Sequence, residues 1–315
     1  MTEIEHRFTL DIAIDKAGIP AIQWLAENCD LSRQCLKQTM TKGAVWLQRS
    51  SSGSSLGSSA SNLVDSTVDG RSTETGAIKP IRRASNKLNL GERLFLYYDT
   101  RVLQQVPPAP SLLYENSHYS VWNKPSGMLS HGSKWGDHCS ITRWVEQHHP
   151  ARRPGFLIHR LDRAASGIIM LAHNKKSAAA LCKLFEQRKI EKRYQAIVKG
   201  HFADGVTTIE TDVDSKSART IVRLMEYQPH NDTSLVDVAI ETGRKHQIRR
   251  HLSELGHAIV GDRLYNDTVI TSTTPNLQLR AYILAFDCPL IQQNQSFSLD
   301  ESQLLQLDRQ QQQKS

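Results

Sequence analysis

The sequence lacks an apolar segment that could cross a membrane, since no run of about 18 apolar residues occurs in the 315-residue chain. Its first residues are acidic and contain no apolar core segment, so no signal peptide is expected. The five cysteines are widely scattered and form no CxxC pair. This pattern favours reduced thiols in a cytoplasmic protein and, without regular Cys/His spacing, predicts no metal site.

Nucleotide-cofactor motifs are also missing, because the chain has neither a P-loop nor a dinucleotide-binding fingerprint. Positive charge, by contrast, is plentiful: 39 Lys and Arg exceed 32 Asp and Glu, giving a net charge of +7 and a pI near 9.2. This excess predicts an anionic partner but does not by itself distinguish nucleic acid from a membrane surface.

Acidic residues are rare between residues 151 and 200, where twelve Lys or Arg accompany only three acids. Asp162 lies in this stretch between Arg160 and Arg163. Because a carboxylate repels phosphate, a region that binds a polyanion has reason to avoid one. Asp162 is therefore either a structural salt-bridge partner of these arginines or a catalytic carboxylate that cations keep ionised.

Changes in composition divide the chain. Residues 50–79 are Ser-rich and carry no sustained apolar pattern, which predicts a flexible insertion. It interrupts a small domain over residues 1–106. A helix over residues 31–40, capped by Ser32, and a strand at 44–47 precede the insertion, and a turn and second strand over residues 87–98 follow it. Prolines from residue 107 mark a linker into a larger domain over 107–300, and residues 301–315 are expected to be a disordered Gln-rich tail.

The larger domain mixes strand and helix patterns without the Gly-rich alternation of a doubly wound sheet. Residues 167–172 form a continuous apolar run typical of a buried strand, and residues 177–188 have helical spacing with Ser177 as the expected cap. Strands are predicted at 194–200 and 234–240, and a helix at 244–255. The pattern predicts an α+β fold with a central, mostly antiparallel sheet.

The segment from His159 to Gly167 reads HRLDRAASG and resembles the active-site signature of the RluA-type RNA pseudouridine synthases. Segments 123–128, 185–196 and 242–262 resemble further motifs of this family, in the same order. The chain departs from the family pattern at Ala165, where Thr is usual, at Lys245, where Thr or Ser is usual, and at Arg280, where His is commoner. The resemblance implies a pseudouridine synthase catalytic fold.

It also implies the site residues, with Asp162 as the catalytic aspartate, Tyr194 as the active-site tyrosine and Arg249 as the arginine that pairs with the aspartate. The expected substrate-binding residues are Arg160, Arg163, Ile248, Arg244, Lys245 and Lys124. The reaction rearranges uridine within RNA and transfers no group from a donor, so no cofactor is expected. The aspartate could act as a nucleophile or as a general base.

The smaller domain is similar in element order to the alpha-L RNA-binding motif of ribosomal proteins, which would place Arg33, Lys37, Lys42 and Arg49 on an RNA face. An ordinary accessory domain with a solvated charged face is the alternative.

The expected substrate is large-subunit ribosomal RNA, followed by transfer RNA, acted on by a cytoplasmic monomer without membrane association. A non-catalytic RNA-binding or ribosome assembly factor on the same fold is the competing function. A glycoside or nucleotide hydrolase fits less well, because it needs two facing acids and only Asp162 is available.

Overall fold

The computed structural model describes residues 6–50, 78–266 and 271–308, so nearly all of the Ser-rich insertion lies outside the described residues. The described chain forms two compact units. The first unit contains the residues up to Pro107 together with His131–Trp144, and the second contains Pro108–Ser130 and the residues from Val145 onward.

The first unit is a four-stranded antiparallel sheet with helices. Its elements are β1 (Arg7–Ala13), α1 (Ala21–Asn28), α2 (Arg33–Thr41), β2 (Val45–Gln48), β3 (Ile78–Pro80), β4 (Arg93–Asp99) and α3 (Thr100–Leu103). The strand order is β1-β4-β2-β3. Ser32 caps α2 as the sequence predicts, since its side chain accepts the backbone N–H of Cys35 at 3.2 Å.

The assignment of residues 131–144 differs from the predicted domain division. These residues belong to the first unit rather than to the domain predicted over residues 107–300. The backbone N–H of Asp137 donates to the Lys42 carbonyl at 2.9 Å, and Arg82 forms an ion pair with the Asp137 carboxylate. Local composition does not reveal such long-range pairing. The following helix, α4 (Ile141–His148), contains the end of this segment.

The second unit is built on a ten-stranded sheet. Its remaining elements are β5 (Ser111–Glu115), β6 (Tyr119–Lys124), β7 (Phe156–Leu157), β8 (Ser166–Ala172), α5 (Lys175–Glu186), β9 (Ile190–Lys199), β10 (Val206–Ile209), β11 (Thr220–Gln228), β12 (Thr233–Ile240), α6 (Gln247–Glu254), β13 (Leu279–Cys288) and β14 (Gln293–Ser298). The main strand order is β10-β11-β12-β9-β13-β8-β6-β5, with β14 on β13 and β7 on β8. Among the described strand pairs only β8 and β13 run parallel, which confirms the mostly antiparallel α+β prediction.

The core of this unit lies where α5 packs on the centre of the sheet. All seven residues of β8 are buried, as their apolar run predicts, and Leu181 of α5 is fully buried against them. Complete burial of one such leucine stabilises the fold by about 1.5–3 kcal/mol. The N-cap of α5 differs from the prediction. Asn174, not Ser177, caps the helix, and its side chain accepts the Ser177 N–H at 2.8 Å.

A glycine permits the close approach of β13 to β8 at the edge of the candidate site. Gly167 has a φ of 111°, and a Cβ there would overlap the backbone of Ala281. Both the conformation and the space therefore require glycine. This junction fixes the start of β8, directly after the loop that carries Asp162.

The end of the chain differs from the predicted tail. Residues Glu301–Gln303 form a short 3-10 helix, and Leu307 is buried against Ile197 and Leu235. The apolar side chains within the Gln-rich composition explain the difference, since they pack on the sheet. Residues 309–315 lie outside the described part of the chain.

Candidate active site

Asp162 lies in the loop between β7 and β8, and the segment after β6 holds this loop in place. Ser126 Oγ donates to the Ala164 carbonyl at 2.7 Å, and the Gly127 N–H donates to the Arg163 carbonyl at 2.8 Å. Ser130 contacts Leu161, the residue before Asp162, as both donor and acceptor: its Oγ donates to the Leu161 carbonyl at 2.6 Å and accepts the Leu161 N–H at 3.0 Å. The backbone around Asp162 is thus fixed on both sides by local hydrogen bonds.

Lys124 also holds this loop in place. Its side chain is fully buried, and its Nζ donates to the carbonyls of Pro125, Met128 and Ala165 at 3.1, 2.8 and 2.7 Å. Burial lowers the pKa of Lys124 to about 7, while the negative charge of Asp162 acts in the opposite direction. The sequence predicts that Lys124 binds substrate. In the fold, its three ammonium donors are all directed to backbone carbonyls of the loop.

Arg249 of α6 joins Asp162 to a second carboxylate. Its Nη1 donates to Asp162 Oδ2 at 3.1 Å, and its Nε and Nη2 donate to the two oxygens of Asp262 at 2.7 and 2.8 Å. The Asp262 side chain is fully buried, whereas that of Asp162 is 26% exposed. The buried bidentate pair fixes the guanidinium, so its third donor holds Asp162 where solvent and substrate reach it.

Asp262 is ionised because of this pairing. Burial alone would raise its pKa, but the hydrogen bonds from Arg249 and from the backbone N–H groups of Leu264 and Tyr265 lower it below the usual range. The pKa of Arg249 is raised, since contacts with both carboxylates outweigh the effect of its burial. The network therefore holds one buried guanidinium between two carboxyl groups.

Tyr194 lies in β9 and is 8% exposed. Burial, followed by the nearby charge of Asp162, raises the pKa of its hydroxyl, so the phenol stays protonated at neutral pH. A neutral ring with a protonated hydroxyl can stack on a base and donate a hydrogen bond.

Asp162, Tyr194 and Arg249 line one cavity of about 500 Å³. This volume lies within the usual range for small-molecule sites and exceeds that of a nucleobase. Three predicted substrate-binding residues also line it, namely Arg160, Arg244 and Ile248. Arg163 and Lys245 are exposed and are not among the lining residues; Arg163 Nε donates to the Gly127 carbonyl at 3.2 Å. The structure thus brings together six of the nine predicted site residues.

The sequence did not single out His246, Asp262 or Tyr265 as site residues. His246 and Asp262 lie within the family motif of residues 242–262, and Tyr265 follows it. His246 has a left-handed backbone (φ 57°) just before α6, which therefore begins later than residue 244. Its Nε2 lies 3.8 Å from Asp162 Oδ1, and its Nδ1 lies 2.9 Å from the Tyr265 hydroxyl. The Tyr265 ring in turn lies 5.1 Å from the Arg249 guanidinium carbon. Their position in or just after the family motif was the available sequence signal for these residues.

The motif resemblance implies that Asp162 is the catalytic aspartate, so Ser130→Ala, which loosens its loop, is expected to lower kcat about tenfold with little change in substrate affinity, because misplacement of a reacting group by a fraction of an ångström slows the chemistry. The loss also leaves the buried Leu161 N–H without its hydroxyl acceptor, which costs about 1–3 kcal/mol of stability. Single-turnover kinetics and thermal unfolding measure the two effects. Ser126→Ala removes a half-buried hydroxyl and serves as the control with a smaller expected effect. An unchanged kcat in Ser130→Ala would mean that the loop holds its geometry without this contact.

His159 makes the stability of the second unit sensitive to acid. Burial, with the charge of Lys192 acting in the same direction, lowers the pKa of His159 to about 3. Its ring stacks on Phe185 at 4.7 Å, and its Nε2 accepts the Met170 N–H at 3.1 Å. The unfolded chain, with a histidine pKa of about 6.5, therefore binds the proton more readily than the folded one.

This difference predicts that the free energy of unfolding falls as pH drops from about 6.5 toward 3, and that it is unaffected by this group above that window. His159→Gln keeps a hydrogen-bond acceptor but does not titrate, so its loss of stability across the window should be shallower than that of the wild type. Denaturant unfolding at several pH values measures the slope, with exposed His230→Gln as control. Equal slopes in wild type and His159→Gln would contradict the assignment.

Over residues 6–50, 78–266 and 271–308, no three His, Cys, Asp or Glu side chains come together in an arrangement that could hold a metal ion. In the same ranges, no helix has the length and apolar character required to span a membrane.

Comparisons with known proteins agree with this geometry. A family model described as RNA pseudouridylate synthase matches residues 118–254. The dual-specificity RNA pseudouridine synthase RluA of Salmonella typhimurium is 33% identical over 204 residues, covering 60% of this chain and 91% of the relative. The protein of the same name from Pasteurella multocida is 33% identical over 207 residues, covering 61% and 93%. The solved structure of human RNA pseudouridylate synthase domain containing 1 shares the fold, with a TM-score of 0.54 at 22% identity over 64% of this chain and 88% of that one.

The chain belongs to the RluA-type RNA pseudouridine synthase family, as its motifs predict. It is an RNA pseudouridine synthase, an isomerase that converts uridine to pseudouridine within an RNA chain.

Proposed function

We propose that this enzyme isomerises one or a few uridines of structured RNA, in large-subunit ribosomal RNA first and transfer RNA second, with Asp162 as the catalytic carboxylate. The observation that carries the catalytic assignment is the arrangement of Arg249, which is fixed by Asp262 and presents its remaining donor to Asp162 at the cavity wall. Arg249 holds Asp162 through Oδ2, and the side chain is 26% exposed, so a substrate can reach the carboxylate.

The reaction breaks the bond between N1 of uracil and C1′ of ribose and forms a bond between C5 and C1′. C5 loses a proton and N1 gains one, so atoms balance without any donor or oxidant. Asp162 acts either by attacking C1′ or by removing a proton from the sugar, and both routes need the ionised carboxylate. The uracil is detached during the rearrangement, and contacts with the cavity walls keep it beside the ribose while it turns.

The other lining residues have separate roles in this proposal. Tyr194 stacks on the uracil and donates its hydroxyl proton in a hydrogen bond, which its raised pKa permits. Ile248 packs against the base, since it is buried at the cavity wall. Arg160 and Arg244 contact the phosphates on either side of the nucleotide and position the RNA without reading its sequence.

The target base must leave its stack to reach Asp162, at a cost of a few kcal/mol. Unpaired loops and bulges lower this cost, because their bases are already less stacked. The cations around the cavity offset part of the remaining cost by binding the backbone. Structured RNA with accessible uridines is therefore the proposed substrate class.

Ribosomal RNA is favoured because the small first unit has the element order of an alpha-L-type RNA-binding domain. Transfer RNA stays in the proposal because the relatives carry the name dual-specificity RNA pseudouridine synthase. The excess of positive charge suits either RNA. We further propose that the enzyme works as a monomer in the cytoplasm; the scattered cysteines, which form no CxxC pair, support the cytoplasmic location.

The substrate choice is tested with purified enzyme and RNA transcripts labelled with tritium at C5 of uridine. Tritium leaves when C5 bonds to the sugar, so its release reports turnover. The proposal predicts that large-subunit ribosomal RNA fragments give the highest kcat/KM and that transfer RNA gives a lower one. A higher kcat/KM on transfer RNA would reverse the order, and release from neither RNA would remove both substrates from the proposal.

A further inference from the structure

One face of the first unit's sheet carries aromatic side chains rather than helices. Alternation along β4 directs Leu94 and Leu96 into the core formed with α1 and α2. Phe95 and Tyr97 consequently lie on the opposite face, and the strand register places Trp46 of β2 opposite Phe95. These three rings form a row across two neighbouring strands.

The loop of residues 131–136, which belongs to the same unit, extends this row. The Trp135 ring meets Tyr97 edge-on at a centroid distance of 5.7 Å, and Phe95 and Tyr97 are nearly parallel at 6.4 Å. The Trp46 indole N–H donates to the Lys134 carbonyl at 3.2 Å, which ties the loop to the strand. All four aromatic residues are only half-buried, so part of each is accessible. We call Trp46, Phe95, Tyr97 and Trp135 the aromatic face.

Cations lie among these rings. The Arg7 guanidinium carbon is 4.3 Å from the centroid of Trp135, and the Lys134 Nζ is 5.0 Å from that of Tyr97. Arg93 is on the same face of the sheet and pairs with the exposed Asp11 at 2.7 Å. The second carboxylate at this edge, Asp99, is largely buried beside Arg7. The exposed part of the aromatic face is therefore positively charged.

We propose that the aromatic face binds a single-stranded segment of the substrate RNA, with bases stacked on its rings and phosphates near Arg7 and Lys134. Half-exposed aromatic rings interleaved with cations are the combination by which proteins bind single strands without sequence preference. An apolar partner surface would gain little from the charges, whereas a polyanion with flat bases matches both features. The proposal rests on RNA being the substrate.

This surface differs from the RNA face predicted from the sequence. Arg33 and Lys37 are exposed on α2, and α2 packs on the other side of the sheet through Leu36 and Met40. Lys42 donates to the Leu103 carbonyl instead of lying free on that face. Stacking on the aromatic face would add affinity for unpaired RNA, while the choice of uridine stays with the Asp162 cavity.

The test measures binding of a fluorescently labelled oligoadenylate of ten nucleotides by fluorescence anisotropy, using the full chain. Adenine stacks well and offers no uracil to the cavity, and the Asp162→Asn background removes turnover from the measurement. Tyr97→Ala and Trp135→Ala are each expected to raise Kd about five- to 100-fold. Tyr97→Phe and Trp135→Phe keep a ring and should stay within about threefold. Thr9→Ala, next to Tyr97 on the same face, is the matched control.

An abasic strand of equal length separates stacking from simple charge attraction, and the proposal predicts that it binds at least tenfold more weakly. Equal binding of the abasic strand, unchanged Kd in the Ala variants, or equal losses in the Phe and Ala variants would each overturn the proposal. If an Ala variant unfolds, wild-type protein decides: oligoadenylate should quench its tryptophan fluorescence, and the abasic strand should not. Because none of these readouts requires turnover, their failure is distinguishable from failure of the enzymatic assignment, which tritium release reports.

Discussion

Asp162→Asn is expected to lower kcat by about 10⁴-fold on its preferred RNA, with RNA affinity unchanged within a few-fold. The amide has the size of the carboxylate and still accepts a hydrogen bond from Arg249, so the loop and cavity keep their shape. It is neither an effective nucleophile nor a base, and both proposed routes therefore lose their reacting group. Single-turnover tritium release measures the chemical step, and equilibrium RNA binding measures affinity.

Asp214→Asn is the matched control for this prediction, because it makes the same chemical change at an exposed aspartate that pairs with Arg250. Its kcat should equal that of the wild type. If Asp162→Asn kept more than a few per cent of wild-type kcat, another group would have to supply the reacting pair of electrons.

The second large effect is expected at Arg249. Arg249→Met leaves the Asp262 carboxylate fully buried without its bidentate partner, and breaking such a buried pair costs about 3–5 kcal/mol of unfolding free energy. It also frees Asp162 from its principal contact, so kcat should fall together with stability. Denaturant unfolding and single-turnover kinetics measure the two effects.

Two variants isolate the physical cause of the Arg249 effect. Arg249→Met combined with Asp262→Asn removes the uncompensated charge, so stability should partly recover while kcat stays low. Arg250→Met, at the next position of α6, breaks an exposed ion pair of similar length and should change stability little. Equal destabilisation by Arg249→Met and Arg250→Met would contradict a special role for burial.

The sequence predicts the central part of the fold well where one local pattern dominates. The apolar run of β8 can only be buried, and its position directly after the Asp162 motif places the loop that carries Asp162 at the end of a core strand. The motif resemblance assigns Asp162, Tyr194 and Arg249 to one site, and the three residues line one cavity, although they come from a loop, a strand and a helix. Spacing along the chain could not have shown this convergence.

Tertiary contacts explain what the sequence did not predict. Lys124 looks like a substrate-binding cation, yet the three carbonyls around its Nζ exist only once the loop is folded. Asp262 follows Arg249 by thirteen residues and reaches it through a turn at Gly261, where a Cβ would overlap the backbone of Asn276. Neither arrangement has a periodic signature.

Tertiary contacts also explain why the sequence did not predict the aromatic face. Trp46 and Tyr97 share a face because β2 pairs with β4, and Trp135 joins them because residues 131–144 belong to the first unit. The sequence indicated an RNA face from the cations Arg33, Lys37, Lys42 and Arg49, since charge is visible in a linear pattern and aromatic clustering across strands is not.

The most direct test of the central claim is a transcriptome-wide map of pseudouridine in cells that lack the gene and are complemented with wild-type enzyme or with Asp162→Asn. The account predicts that one or a few uridines lose the modification, that the wild type restores it, and that Asp162→Asn, produced at an equal level, does not. Restoration of the modification by Asp162→Asn would contradict the claim that this carboxylate carries the reaction.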